Sequence, residues 1–234
     1  MKCPRCVQDL ELRAGGCSGC GFSISELDDE LGRESVVLDR LADDAHVLRV
    51  HERRRLEWEL DRFEQLFPQL FAAIFIGVFP PMTNIRQFGF WLLNRAAVNG
   101  VDVARPNERG MLFVLDLNGK QLGVTLGYQL ETFLAEKEIA KCFRVAKPDF
   151  LEGDYTTAMV KLLGRVTRRL KKRSKQAARY PDRFCRGRVC VPAMPELVRV
   201  NAGVASDSGG VFAIGDAVRS AVGKRVEMER FREG

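Results

Sequence analysis

The sequence predicts an α/β domain with a small metal ribbon in front of it, and three observations carry that prediction. Two Cys-x-x-Cys pairs, Cys3-Pro4-Arg5-Cys6 and Cys17-Ser18-Gly19-Cys20, stand within the first 21 residues. Two strongly apolar runs, 70–79 and 111–117, read as strands covered on both faces. Amphipathic helical stretches alternate with those runs, and a strand–helix–strand order makes a right-handed crossover with parallel strands the default.

In chain order the ribbon comes first, over residues 1–21. Each Cys-x-x-Cys turn directs two thiolates at one ion, and two such turns complete a tetrahedral zinc site through Cys3, Cys6, Cys17 and Cys20. Between the pairs Asp9-Leu10-Glu11-Leu12 alternates and Gly15-Gly16 permits a tight return, as a ribbon hairpin needs. All four positions are protein thiolates, so the zinc is structural and leaves no open position for catalysis. The ribbon's role is then to hold the fold or a protein partner. Seven cysteines, with no apolar segment after Met1-Lys2, point to a reducing compartment and a cytoplasmic chain. The one membrane candidate, residues 70–82, is too short to span a bilayer and is closed by Pro80-Pro81, so no transmembrane segment is expected.

Residues 22–42 read as an acidic linker or a short helix. Asp43-Asp44-Ala45-His46-Val47-Leu48 leads into a helix over about 52–67, where Leu56, Leu60, Phe63 and Phe67 recur at helical spacing and Pro68 ends the pattern. Residues 70–79 follow as the first buried strand. A second helix opens near Thr83-Asn84, buries Ile85, Phe88, Leu92 and Ala96, and stops at Asn99-Gly100. After the apolar run 111–117, Asn118-Gly119 suits a two-residue type I′ hairpin turn. Leu122, Val124 and Leu126 then alternate with Gln121, Gly123 and Thr125, as in a return strand with one buried face. A helix is expected over about 130–146, ending before Lys147-Pro148. Another starts near Asp154 and buries Tyr155, Met159, Leu162, Val166 and Leu170. The α/β domain therefore covers 43–175. From Gln176 the periodicity fades, and 176–234 read as a loosely ordered basic tail with a short strand near 211–214.

This order, with its local residues, resembles the TPM domain family over roughly residues 43–170. The stretch Asp43 to Leu48 is similar to the family's acidic entry to a long helix, and Phe88-Gly89-Phe90-Trp91-Leu92-Leu93-Asn94-Arg95 to its crossover helix. The run from Gly110 to Asp116 is similar to its Gly-led strand ending in Asp. Gly127-Tyr128-Gln129-Leu130-Glu131 looks like its Gly-Tyr-Gly-Leu-Glu with the middle glycine replaced. The family's Leu-Pro-Asp corresponds to Leu134-Ala135-Glu136, which keeps a carboxylate and loses the proline. The resemblance implies a Rossmann-like three-layer α/β/α sandwich and an acid-phosphatase or metal-binding activity, reported for some members. Two features depart from the pattern. Many members are exported or membrane-anchored, and the family's charged Asp-Arg-Lys at the hairpin is Leu117-Asn118-Gly119-Lys120 here, without the arginine that would grip phosphate.

The family pattern gathers Asp116, Glu131, Glu136 and the Asp43/Asp44 pair near one end of the sheet. Asp116 ends a strand, where open α/β sheets bind ligands, and clustered carboxylates suit Ca2+ or Mg2+, which would orient a phosphate. On that reading Asp116 and Glu136 carry a weak metal-dependent phosphatase activity. The plainer reading has Asp116 supporting the turn, Glu131 capping a helix start and Glu136 solvated. Asp116-Leu117-Asn118-Gly119 also resembles the Asp-x-Asp-Gly-Thr of haloacid-dehalogenase-type phosphatases. The second acid is Asn118 and the threonine is Lys120, so the acid/base role has no carrier. His46 and His51 read as solvated, Cys142 as a core residue, and Cys185 and Cys190 as incidental among arginines. The basic run 165–173 (Arg165, Arg168, Arg169, Lys171, Lys172 and Arg173) invites an anionic partner. Without interleaved aromatics it favours electrostatics over base stacking. Two functions follow: a TPM-type domain that binds a divalent cation, and a non-enzymatic adaptor whose zinc ribbon and basic C-terminal region hold a protein or nucleic-acid partner.

Overall fold

After the ribbon, the computed structural model runs through α1 (Ile24–Leu31), β1 (Val36–Leu38), β2 (Leu41–Asp43), α2 (Val50–Leu66), β3 (Phe71–Gly77) and α3 (Ile85–Arg95). It continues through β4 (Ala96–Val98), β5 (Gly110–Asp116), β6 (Gln121–Leu126), α4 (Tyr128–Phe133), α5 (Glu136–Glu152), α6 (Tyr155–Arg179) and β7 (Phe212–Ala213). The structure describes residues 1–10, 15–32, 36–99 and 107–184, with the backbone of 212–213.

The central sheet has the order β2-β3-β5-β6. Its first three strands are parallel, and β6 returns antiparallel along β5. A smaller parallel sheet, β4-β1-β7, stands beside it. Every residue of β3 and β5 is buried, which is why both strands appear as apolar runs, the second closed by Asp116. One face, with Ile74, Ile76, Phe113 and Leu115, packs on α2, α5 and α6. The other, with Phe75, Leu112 and Val114, meets Phe88, Trp91 and Leu92 of α3 and, beyond them, Cys3, Cys17 and Phe22 of the ribbon. At Gly89 a Cβ would stand 2.7 Å from Thr125 Oγ1, so the missing side chain lets α3 lie close on β6. The result is a mixed α/β sandwich with helices on both faces of a mostly parallel sheet.

Several expectations change. Of the two alternatives for residues 22–42, the short helix is present as α1 and the linker is not. Leu27, Val36, Leu38 and Leu41 are buried, α1 packs on α3, β1 belongs to the smaller sheet and β2 to the central one. Three-residue strands are too short to show periodicity through an acidic composition. The Asn118-Gly119 turn is not type I′, since neither residue has a positive φ; residues 117–120 form a four-residue loop with Lys120 at φ 47. Pro148 does not end a helix. It lies inside α5, which α6 holds on both sides of it, through buried Cys142 and Ala146 before and Phe150 stacked edge-on to Tyr155 after. Gly153, at φ 83, closes α5 instead. The order beyond residue 175 is also greater than expected: α6 reaches Arg179, and Phe184 stacks on Phe133 at 5.4 Å. The short strand expected near 211–214 is β7, which pairs with β1.

Candidate functional site

The ribbon's two turns repeat one geometry. Val7 N–H donates to the Cys3 carbonyl (3.0 Å) and Gly21 N–H to that of Cys17 (2.8 Å), and both donors sit in the left-handed region, at φ 67 and 72. Gly21 meets that demand freely; Val7, β-branched, does so under strain. The turns place Cys3 Sγ 3.7 Å from Cys20 Sγ and Cys6 Sγ 3.5 Å from Cys17 Sγ, with all four sulfurs within 4.8 Å of one another. A tetrahedral Zn–S4 centre has its sulfurs about 3.8 Å apart, so the four thiols fit a zinc ion. Backbone N–H groups of Cys20 and Gly19 pull the Cys17 thiol down to about 7. The Phe22 N–H pulls at Cys20 too, but burial and the neighbouring thiols push it up to about 12. Four thiolates this close would repel one another, so the cluster keeps part of its protons until a cation displaces them. When bound, the ion supplies a cross-link and a positive charge, with no open position.

The ribbon is built into the domain. Phe22 packs edge-to-face on Phe90, with centroids 5.7 Å apart. Asp28 of α1 accepts from Trp91 Nε1 (3.1 Å) and Arg95 Nε (2.9 Å) of α3, and Arg5 pairs with Glu26 at 2.6 Å. Glu131, expected at a cation site or helix cap, takes the Met1 ammonium at 2.9 Å and the Lys2 N–H at 2.8 Å. That long-range contact has no local signature in the sequence.

The other acids fall in separate places. Buried Asp116 accepts the N–H groups of Asn118 (3.0 Å), Gly119 (3.0 Å) and Phe79 (3.3 Å). A Cβ at Gly119 would run into that carboxylate, so this glycine is required by close approach. Asp43, also buried, accepts the N–H groups of Val47 (3.2 Å) and Leu48 (2.9 Å), and half-buried Asp44 donates its own N–H to Ile76. Because β6 runs back along β5, Glu131 and Glu136 come after about 17 Å of return strand and lie at the far end of the sheet from Asp116. Those two do share a surface, an open cavity of ≈ 410 Å³ beside the ribbon. Among the described residues, the four cysteines form the one group of three or more ligating side chains close enough for a single ion. His46 and His51 are exposed, Cys142 is buried with its thiol pushed up by that burial, and Cys185 and Cys190 lie outside the described residues.

The strongest charge feature is on α6. Lys161, Arg165, Arg168, Lys172, Lys175 and Arg179 are exposed at alternating spacings of four and three, one stripe along the helix. It spans about 27 Å. Leu162, Leu163, Val166 and Leu170 bury the opposite side in the core. The neighbouring α5 adds exposed Lys141, Arg144 and Lys147. Ion pairs Lys161–Asp149 (2.7 Å) and Arg169–Glu138 (3.2 Å) lock the two helices antiparallel. At the stripe's end Tyr180, 45% exposed, has the guanidinium groups of Arg179 and Arg183 at 5.6 and 4.9 Å from its ring centre. The sequence reading missed this aromatic; it is the residue just after the helix.

A four-thiolate ribbon docked on a mostly parallel α/β sandwich defines the class: a metal-ribbon α/β domain. The chain belongs to the TPM domain family, whose model matches residues 41–169, from the start of β2 into α6. It is similar to the solution NMR structure of the N-terminal domain of a protein from P. gingivalis, at 18% identity over 57% of this chain and 82% of that one, with a TM-score of 0.44. No curated protein matches the chain. Among the described residues no helix is long and apolar enough to cross a membrane.

Proposed function

We propose that this chain is a non-enzymatic adaptor of the cytoplasm, in which a structural zinc ribbon stiffens a TPM domain that binds nucleic acid along α6. The stripe from Lys161 to Arg179 carries the reading. Its helix is anchored by a buried face, so the cations are presented on a fixed ridge rather than on a chain that binding must order. Duplex DNA carries about one charge per 1.7 Å of axis over both strands, so a duplex segment as long as the ridge holds about 16 phosphates, of which the ridge meets those on its own side. Phosphate contacts of this kind give affinity without base readout.

The competing reading places Ca2+ or Mg2+ and a weak phosphatase activity at Asp116 and Glu136. It has less support, because Asp116 spends its oxygens on three backbone N–H groups and Glu136 stands at the other end of the sheet.

Fluorescence anisotropy with labelled duplex and single-stranded oligonucleotides over a salt series tests the adaptor reading. Binding that weakens with salt is expected, and each of Arg165→Glu, Arg168→Glu and Lys172→Glu should lower the log–log slope by about 0.9. Binding that ignores both salt and these variants sinks it. Hydrolysis of a phosphate ester with Mg2+ or Ca2+, lost in Asp116→Asn, would return the function to the enzyme reading.

A further inference from the structure

A sheet edge lies open beside the ribbon. β6 is the last strand of the central sheet, and the Gly127 N–H bonds to the Gly110 carbonyl at the end of the β5–β6 pair. That bond fixes the phase of the ladder. Met111 and Leu126 form a non-hydrogen-bonded pair, while Leu112–Thr125, Val114–Gly123 and Asp116–Gln121 exchange ladder bonds. The N–H and C=O groups of Gln121, Gly123 and Thr125 therefore point into the sheet. Those of Leu122, Val124 and Leu126 point away from it, and no hydrogen bond from the described residues meets them.

The ≈ 410 Å³ cavity opens onto the C-terminal half of this edge, at Val124, Thr125 and Leu126. Pro4 and Val7 of the ribbon and Phe90 of α3 form one wall; Leu134 and Ile139 of the α4–α5 corner form the other. Its charges are unbalanced. Lys2 Nζ is held by Asp9 and Glu131 by the Met1 ammonium. Arg86 and Lys137 line the cavity with no ion pair among the described residues, against the single carboxylate of Glu136. The first turn of α5 also faces it, and Ala135 gives that helix no side-chain cap.

We propose that this groove takes an extended acidic peptide as a fifth strand beside β6, its alternate apolar side chains between the ribbon and the α4–α5 corner and its carboxylates against Arg86 and Lys137. Strand addition draws affinity from main-chain bonds and selectivity from the pockets beside them. The β6 edge of a second copy would instead bring another Arg86 and Lys137 to the same groove, like charge against like. The site does not use the α6 ridge, so the adaptor would hold two partners at once.

Short peptides alternating valine with glutamate, and valine with lysine, titrated into the zinc-loaded 15N-labelled full chain, test this. The glutamate peptide should shift the Leu122, Val124 and Leu126 amides and slow their hydrogen exchange, and the lysine peptide should do neither. Val124→Pro removes one outward N–H, a change an edge strand tolerates, and should weaken binding about tenfold or more. Arg86→Glu with Lys137→Glu, which leaves the backbone untouched, should move the preference to the lysine peptide. No amide shift with either peptide, equal affinity in both variants, or a concentration-dependent dimer through β6 would overturn the proposal.

Discussion

Asp43 and Asp116 stand at the same end of the central sheet, on either side of β3, and face opposite layers. Asp43 is level with Ile76 and points with it toward α2; Asp116 is level with Gly77 and points toward α3. About 10 Å of sheet separates them. Asp43 accepts two N–H groups of its own loop and faces Arg53 at 3.8 Å, and Asp116 accepts two N–H groups of its own loop and that of Phe79 after β3. They act as two turn locks. Asp43→Asn and Asp116→Asn should each cost about 1–3 kcal/mol, and the costs should add within about 0.5 kcal/mol. Denaturant unfolding of the single and double variants measures this, and a larger coupling would put both acids on one shared ion.

Zinc is predicted to hold the α3 side of the sandwich together. Met1, Cys3, Cys17 and Phe22 share a buried cluster with Phe90 and Trp91. Metal analysis should return one zinc per chain, and a strong chelator should lower Tm by about 5 °C or more. Tryptophan emission should move to the red as Trp91 loses its cover, with exposed Trp58 as a constant background. A chelated protein with unchanged Tm and emission would show that the ribbon rests on the domain without supporting it.

The Asp28 carboxylate ties α1 to α3 through Trp91 and Arg95. Asp28→Ala should cost about 2 kcal/mol, below the range for a fully buried pair because Arg95 is 43% exposed. Asp28→Asn keeps an acceptor for both donors and should recover part of the loss in the same unfolding assay. Equal effects of the two substitutions would mean that charge alone carries the contact.

Acid should loosen α6 at its start. The Thr157 N–H donates to the Asp154 carboxylate and holds it below the usual carboxylate range. A depressed folded pKa contributes stability above the unfolded value, and this is lost as pH falls through the folded one. Stability should therefore decline below about pH 4. Asp154→Asn keeps a capping oxygen and drops the proton, so it should flatten that part of the curve, read by circular dichroism at constant ionic strength. An unchanged acid slope in Asp154→Asn would assign the decline to other groups.

What was legible in the sequence follows the range of the forces involved. The four ligand cysteines, the apolar runs of β3 and β5, and the Asn84 and Asp154 caps are local, and each was readable from a few neighbouring residues. The three-residue strands β1 and β2 were not, because they owe their existence to partners at residues 96–98 and 74–76. The placement of the acids failed as a sequence inference for a topological reason. An antiparallel return strand carries everything after it to the opposite end of the sheet, and Glu131 and Glu136 come after it. The partner of Glu131 is 129 residues away at Lys2, beyond the reach of any motif.

The docking of the ribbon on α3 also sets a schedule. Cys20 leaves the ribosome about seventy residues before Phe90 and Trp91, an interval of about 4–14 s at ordinary synthesis rates. During that interval the aromatic bed does not exist, and an ion held by the four thiols would be what keeps the two cysteine turns together. With zinc captured that early, α3 would meet a finished knuckle; without it, α3 would meet two separate cysteine turns.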